Sequence, residues 1–599
     1  MRIKKLLAAF VFGLGFALAL AWLLGGDRLP VACAASWTVT KKADSNDGVC
    51  DTDCSLREAI IAANGSGGVD TITLGLGKFS LSIIGTGENA AATGDLDITD
   101  DLIIEGLGPD QTFIDASGVI SDRVFDIRSG ASTVVISGVT IMDGHITGLG
   151  GGIYNTSADL TLVNVTVMNN VVTGTGSSGG GGGVYVNQGS LSLDGVQIVG
   201  NTANTDGGGV YVYHGTVSLD GVQIVSNTAN SRGGGVYLRY GSGTLSSGAI
   251  LSNTAGSSSG GGVVAYYAQA AFTQTGDSMV AYNAAAWAGG GVYAYQGSVT
   301  LLGGQIYSNT ADMYGGGVCV YQAGAELTMS GGQVISNTAE ERGGGIYIYF
   351  DSSATMSGGE VAHNTSHHYG GGVHVSEGVF TQTGGLLAHN TATTSGGGVY
   401  VGSGTAVLDG GQVIANTANM GGGLYNNNGT LFLVNTTVSG NRAESGSGGG
   451  LYDLNGTTVL TYTTVVSNAA STSGGGIFDV GGGNVTLQNS IVAYNEPANC
   501  GGTIVSNGHN LDSGTSCGLG ATGDITDADP LLGSLAEENG AWVHPLLEDS
   551  PAIDKGLCLP GVTTVDQRGA TRPMGNACDI GAYEFDDYRV HLPLVLSAY

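Results

Sequence analysis

Asp194 and Asp220 stand at the same position of adjacent sequence repeats, 26 residues apart. If those repeats stack, the two carboxylates approach each other. A pair of carboxyl groups about 5–10 Å apart is what glycoside hydrolysis needs. They are the best catalytic candidates in the chain, and the plainer reading makes them two solvated turn residues. The other route to polysaccharide cleavage is elimination by a lyase. It needs a strong base, often Arg or Lys, and a cation or Arg to neutralise a uronate carboxylate. Between Gly150 and Asn495 there is no lysine, and the only arginines are Arg232, Arg239, Arg342 and Arg442. Sixteen acidic residues are spread over that stretch. The residue types therefore point away from an enzyme, with a polysaccharide lyase or glycoside hydrolase as the alternative.

Metal chemistry has two openings. His363, His367, His368, His374 and His389 fall within 27 residues, but their spacing matches no ligand pattern. The loop Asp44-Ser45-Asn46-Asp47-Gly48-Val49-Cys50-Asp51 suggests calcium. It misses the EF-hand register, because its glycine comes one position early and no Glu closes the loop. No metal site or cofactor is assigned, and calcium on so acidic a surface stays open. Of eight cysteines, six form close sequence pairs, Cys50 and Cys54, Cys500 and Cys517, Cys558 and Cys578. Disulfides between neighbours are the expected pairing, although six cysteines allow 15 connectivities. Cys319 stands alone, where sister repeats carry Tyr.

The most regular chemistry is aromatic. A tyrosine recurs two residues after a glycine triplet, as at Tyr211, Tyr237, Tyr293 and Tyr347. A second row follows two residues later, at Tyr213, Tyr266, Tyr295, Tyr321 and Tyr349. On a strand these residues share the solvent face. They predict a strip up to two tyrosines wide. It reads either as a ladder stabilising the sheet or as a platform for sugar rings or a protein partner.

The elements that position these residues follow from composition and period. The chain has 599 residues, 109 of them glycine and 9 proline, with no Gly-X-Y period, which excludes collagen. Eighteen basic residues against 49 acidic ones give a net charge of −31, which argues against a nucleic-acid partner. A glycine triplet followed by Ile, Val or Leu occurs thirteen times from Gly150 to Gly474, and ten of the twelve spacings are 25 to 28 residues. An asparagine keeps time with it, from Asn201 to Asn495. Three glycines per unit exclude helical repeats, and the period is too short for propeller blades. Short alternating strands between Gly and Asn turns predict a parallel β-helix. Its Asn side chains would stack as an internal amide ladder. Less regular coils are expected over residues 69–149.

Both ends carry signals. Arg2, Lys4 and Lys5 precede the uncharged run Leu6 to Leu24, which predicts a secretory segment over residues 1–35. Cys33 makes a lipoprotein site a weaker alternative. No later stretch is long and apolar enough to span a membrane. Ser55-Leu56-Arg57-Glu58 is a capping box opening a short apolar segment that Gly65 can end. It predicts one helix over the first coil.

Cys54-Ser55-Leu56-Arg57-Glu58-Ala59-Ile60, with Asp44 to Asp51 before it, resembles the CSLREA domain of bacterial surface proteins. The glycine-triplet and Asn signals are similar to the repeats of polymorphic outer-membrane protein passengers, with Gly for Ala and usually Ile or Val for Phe. Gly508-His509-Asn510-Leu511, Asp529-Pro530-Leu531-Leu532, Ser550 to Gly556, Asp566-Gln567-Arg568-Gly569 and Asp579 to Glu584 resemble the choice-of-anchor Q domain. These resemblances imply an all-β, right-handed parallel β-helix of the pectin-lyase-like kind. The resemblances at the two ends imply a capping region at residues 36–68 and a C-terminal cap at 489–585, and the strand and repeat patterns add irregular coils at 69–149, regular coils at 150–488 and a tail strand at 586–599. The resemblances also imply a secreted or cell-surface bacterial protein. The expected role is structural or adhesive, with extracellular polysaccharide or a surface protein as partner.

Overall fold

The computed structural model describes residues 34–117, 121–481 and 485–586. The expected secretory segment, Cys33 among it except for its last residues, and nearly all of the expected tail strand lie outside these.

Each regular coil carries four short strands. In one coil they are Val210–Val212, Thr216–Asp220, Val222–Val225 and Thr228–Ala229, here called faces 1 to 4. Every strand pairs in parallel with its copies one coil away, about 4.8 Å apart. The four ladders run to 16, 18, 18 and 13 strands among the described residues. Register follows the repeat residue for residue. Tyr185 pairs with Tyr211 and Tyr211 with Tyr237, while Leu193 pairs with Leu219 and then Leu245. The core is thus a set of columns. Val210, Val212, Val217, Leu219, Val222, Ile224 and Ala229 point inward and are buried, and each stacks on its equivalent above and below. The irregular coils join the same ladders, since Asp70–Thr73 pairs with Leu102–Glu105 and that strand with Thr133–Ser137.

Two corners set the period. Between faces 3 and 4 the chain turns through a left-handed residue followed by the buried asparagine. The turning residues include Ser226 (φ 54°), Ser252 (54°), His363 (55°) and His389 (55°). Each asparagine amide donates to the next asparagine's Oδ1 and to a carbonyl of the preceding coil. Asn227 Nδ2, for example, reaches Asn253 Oδ1 at 3.0 Å and Ile198 O at 2.8 Å. The ladder is longer than its sequence signal. It starts at Asn170, passes Asn495 to Asn499, and ends where Asn499 donates to the buried Asp512 carboxylate at 2.6 Å. At the other corner the first glycine of each triplet has positive φ, 66° at Gly233. The second, Gly234, lies against the backbone of Thr254 and Gly261, where a methyl group would sit 2.5–2.6 Å from their atoms.

The predicted helix is Leu56–Asn64, and the capping box is formed, with Ser55 accepting from the Glu58 N–H and Glu58 accepting from Ser55. Arg57 is fully buried, pairs with Asp44 at 2.7 Å and donates to the carbonyls of Ala91, Gly94 and Asp95. It fastens the cap to the next coils. At the other end the chain does more than close the solenoid. Residues after the last coil run back along face 3. Gln567 accepts from Thr437 at 2.6 Å, His544 meets Ser439 at 3.0 Å, and Ala582 donates to Thr464 at 3.0 Å. The strap is locked by Arg572 on Glu584 and Arg568 on Asp566, both at 2.7 Å. A separate apolar cluster of Val466, Ile491, Val543, Leu546, Ile580 and Tyr583 seals it. The outward residues of face 3 beneath the strap are Gln412, Thr437, Thr464 and Ile491, and Gln412 bonds the strap at Gly540 O and the Trp542 N–H.

Candidate functional site

Asp194 and Asp220 pair in register on face 2 as the repeat implies. Both are exposed, and neither lines a described cleft. Asp220 accepts hydrogen bonds from Ser246 and Ser247, at 3.1 and 2.6 Å, which hold its carboxyl below the usual range. The structure gives this pair the surroundings of surface turn residues.

The tyrosines do form a column on face 1, but the first row is not solvent-facing as the alternation predicts. Tyr211 is 6% exposed, Tyr237 1%, Tyr293 3% and Tyr347 3%. The second row covers them, together with side chains from the loops between face 4 and the glycines, such as Trp287 and Tyr314. Tyr213, Tyr266, Tyr295, Tyr321 and Tyr349 are half-buried. Rings stack along the rod: Tyr266 and Tyr295 lie 4.6 Å apart at 13°, Tyr425 and Tyr452 4.8 Å apart at 5°. Single residues replace tyrosine in the column. His374 sits between Tyr347 and Tyr400, and burial pushes its pKa down to about 3, so the ring is neutral. Cys319 is buried and its thiol is pushed well above the ordinary range, which makes it unreactive.

One part of this column opens into a cleft of about 440 Å³. It is lined by Asp206, Tyr211, Arg232, Tyr237, Arg239, Tyr266 and Tyr267, with Gly176 and Ser177 at one rim. Two of the four arginines of the regular array converge here. Arg232 is a bidentate partner of Asp206, both bonds 3.0 Å, and lies 4.4 Å from the Tyr266 ring centre. Arg239 has no carboxylate partner among the described residues. It lies 5.4–5.8 Å from the rings of Tyr213, Tyr240 and Tyr267, beside the Tyr211 hydroxyl, and its Nε is buried with no hydrogen-bond partner. Burial pushes the Tyr211 hydroxyl up to about 12, so it remains a donor at neutral pH. A cleft with aromatic walls, one compensated guanidinium and one uncompensated guanidinium suits a sugar ring carrying an acidic group. Single-sequence reading finds the tyrosines, but Arg232 and Arg239 lie in different parts of the coil and only the winding brings them together.

Toward the N-terminus the same column changes character. Tyr154 pairs with Asp126, and Asp126 with Asp97. A second cleft, about 410 Å³, opens here and is lined by Glu88, Asp95, Asp122, Arg123, Asp126 and Arg128 among others. Arg123 and Arg128 both hold Asp126 Oδ2, at 2.6 and 2.7 Å. Burial, with Asp122 alongside, pushes Asp95 up to about 8, and burial pushes Asp97 up to about 6. A carboxyl group that holds its proton more tightly when folded loses stability as pH rises from about 4 through its folded pKa. These coils are therefore expected to be more stable at pH 5 than at pH 8. His374 opposes the trend below about pH 6.5, but it lies far along the rod. Asp95→Asn is expected to stabilise the protein by on the order of 3 kcal/mol more at pH 8 than at pH 5, because the unfolded carboxyl is ionised at both while the folded one keeps its proton until about pH 8. Urea unfolding at both pH values checks this, and an equal effect at both would refute it.

The remaining sequence candidates have structural duties. His363 and His389 stack 5.0 Å apart on the Asn corner, and His367 bonds Glu340 at 2.6 Å. Asp44 of the suspected calcium loop serves Arg57, Ser82 and Ile83, while Asp47 and Asp51 accept from nearby backbone N–H groups. Among the described residues no three His, Cys, Asp or Glu side chains are grouped as a metal ion requires. Cys50–Cys54, Cys500–Cys517 and Cys558–Cys578 are paired as expected.

Comparison with known proteins gives one match. The family described as right handed beta helix region matches residues 182–361. That segment contains Asp206, Arg232, Arg239 and Tyr267 and lies wholly downstream of the carboxylate cleft. No curated protein and no solved structure matches the chain. The fold is thus an all-β, right-handed parallel β-helix with, among the described residues, one short α-helix near its N-terminus.

Proposed function

We propose that this chain is an exported, surface-associated or secreted β-helix that binds glycans without cleaving them, and that the tyrosine–arginine cleft takes an acidic sugar. The observation that carries this reading is Arg239, an uncompensated guanidinium among aromatic rings in a cleft of about 440 Å³, on a chain whose net charge is −31. Three disulfides and the basic-then-apolar N-terminal sequence support export. The exposed placement of Asp194 and Asp220, outside the clefts described above, supports binding over hydrolysis at that position.

The test is calorimetric titration of the purified protein with oligomers of a uronic acid and of the matching neutral sugar. The acidic oligomer is expected to bind, and Arg239→Gln to weaken it at least tenfold while leaving the thermal midpoint unchanged. Tyr267→Ala is expected to weaken both oligomers, because it removes ring contact rather than charge. Tyr211 and Tyr293 are unsuitable for such a test, since they are buried and their loss would disturb the column. Equal binding of acidic and neutral oligomers would remove Arg239 from the argument. Shortened oligomers after long incubation would replace the binding reading with an enzyme.

A further inference from the structure

The strap lies over the last coils of face 3, and the same face continues past its leading edge. His544 of the strap meets Ser439. Toward the N-terminus the outward residues in register with Ser439 are Ile414, Ala388, Ala362, Ile335 and Tyr307. The column then stays apolar as far as Val199, which makes eight apolar coils from Ala388 onward. Ile335, Tyr307, Leu251 and Val199 are part-exposed. On face 2 the central outward position is Ser or Thr in every coil from Ser192 to Thr381. A solvated sheet face carries polar residues, as face 2 does. An unbroken apolar column on the neighbouring face marks a surface that is covered.

We propose that this column is the docking surface for residues 587–599 of the same chain, which prolong the strap along face 3. Four observations select that occupant. The described chain is already heading there. Gly581 donates to Asn489 O at 2.8 Å and Ala582 to Thr464 at 3.0 Å, one coil nearer the N-terminus. Asp586 then lines a cleft with Glu538 and Asn539, at the tip of the strap's hairpin beside Gln412. Asn539 also lines a groove of about 410 Å³ with Gly358, Gly384, Leu386 and Trp542, where the hairpin tip meets the first coils beyond it. The sequence fits next. Val590, Leu592, Leu594 and Leu596 are apolar at every second residue, so an extended segment turns all four to one side. Pro593 lacks an N–H, which a segment lying on a sheet face rather than in its ladder does not need. Length fits as well, since thirteen residues at about 3.3 Å each span about nine coils of 4.8 Å. Width excludes a second copy as occupant. A column one outward residue wide over eight coils offers roughly 300 Å², against about 800 Å² on each partner of a stable dimer.

Limited proteolysis of the full chain tests this. Arg589 is the only Lys or Arg after Arg572, so trypsin releases residues 590–599 by a single cut that mass spectrometry follows directly. Docking is expected to slow that cut. Ile335→Glu, which puts a charge in the middle of the column, is expected to speed it at least tenfold. A Leu592→Glu, Leu594→Glu double variant is expected to do the same from the other side of the contact. It alters no described residue, so it serves even where Ile335→Glu disturbs its coil. Thr328→Glu, the matching change on face 2, is expected to leave the rate as it is. Release at one rate in the unmodified chain and in both column and tail variants would overturn the proposal. Protection that grows with protein concentration would also overturn it, by placing the segment on a second copy.

Discussion

Asn309→Ala is expected to destabilise the protein by on the order of 5 kcal/mol, because it breaks the amide ladder at its middle. The side chain of Asn309 is fully buried and uses every polar atom. It donates to Val280 O at 2.9 Å and to Asn337 Oδ1 at 3.0 Å, and it accepts from both the backbone N–H and the Nδ2 of Asn283 at 2.9 Å. Alanine leaves two donors of Asn283 without partners and takes from the Val280 carbonyl the side-chain donor it has besides the ladder, and each orphaned buried group costs about 1–3 kcal/mol. Asn337 is less affected, because its Oδ1 still accepts the Asn309 N–H at 2.9 Å. Asn309→Asp should be worse, since it turns a donor toward Val280 O and Asn337 Oδ1 into a buried negative acceptor. Urea unfolding gives the magnitude, and amide exchange should show the loss centred on the adjacent coils, as expected where each repeat touches only its neighbours. A change below about 1 kcal/mol would mean that water or a backbone shift replaces the ladder there.

Gly234→Ala is expected to prevent its corner from closing. The added methyl group would lie 2.5 Å from both Thr254 N and Thr254 O, and 2.6 Å from Gly261 O, all of them backbone atoms of the next coil. Such atoms cannot turn aside as a side-chain tip can. The cost exceeds the roughly 1–3 kcal/mol of ordinary overpacking. The coil is expected to unwind locally or the chain to become insoluble. Gly324→Ala is the matched comparison. Gly324 has φ 87°, but its new methyl group meets nothing within 4 Å. It should cost only about 1–2 kcal/mol of backbone strain. Soluble expression and thermal unfolding of the two variants decide the matter. Similar behaviour would show that close stacking against the next coil is not why this position is glycine.

Much of this was legible without coordinates. The period of the glycine triplets, the asparagine in step with it and the alternation between them are local regularities, and a stacked coil is the one arrangement that satisfies all of them. Ser55 and Glu58 announce a helix cap by residue type alone. The neighbouring cysteines pair as their proximity suggests. The reading faltered where a residue's surroundings come from elsewhere in the chain. Alternation places Tyr211 and Tyr293 outside the β-core, and they are outside it, yet long side chains from adjacent strands and loops roof them over. Asp194 and Asp220 stack as the repeat requires, but both stay exposed and line neither of the clefts described above. Asp95, Asp122 and Asp126 lie in the irregular coils, where no repeat marks equivalent positions, so nothing in their spacing signals that they converge.

Sequence by itself determined the architecture of this protein, its strands, its corners and its amide ladder, because those depend on periodic contacts between like residues one coil apart. Only the tertiary structure decided where the clefts of this chain lie. The two clefts are built from irregular loops, an uncompensated arginine and buried carboxylates, and their burial and charge are sums over several coils that no single stretch of sequence contains.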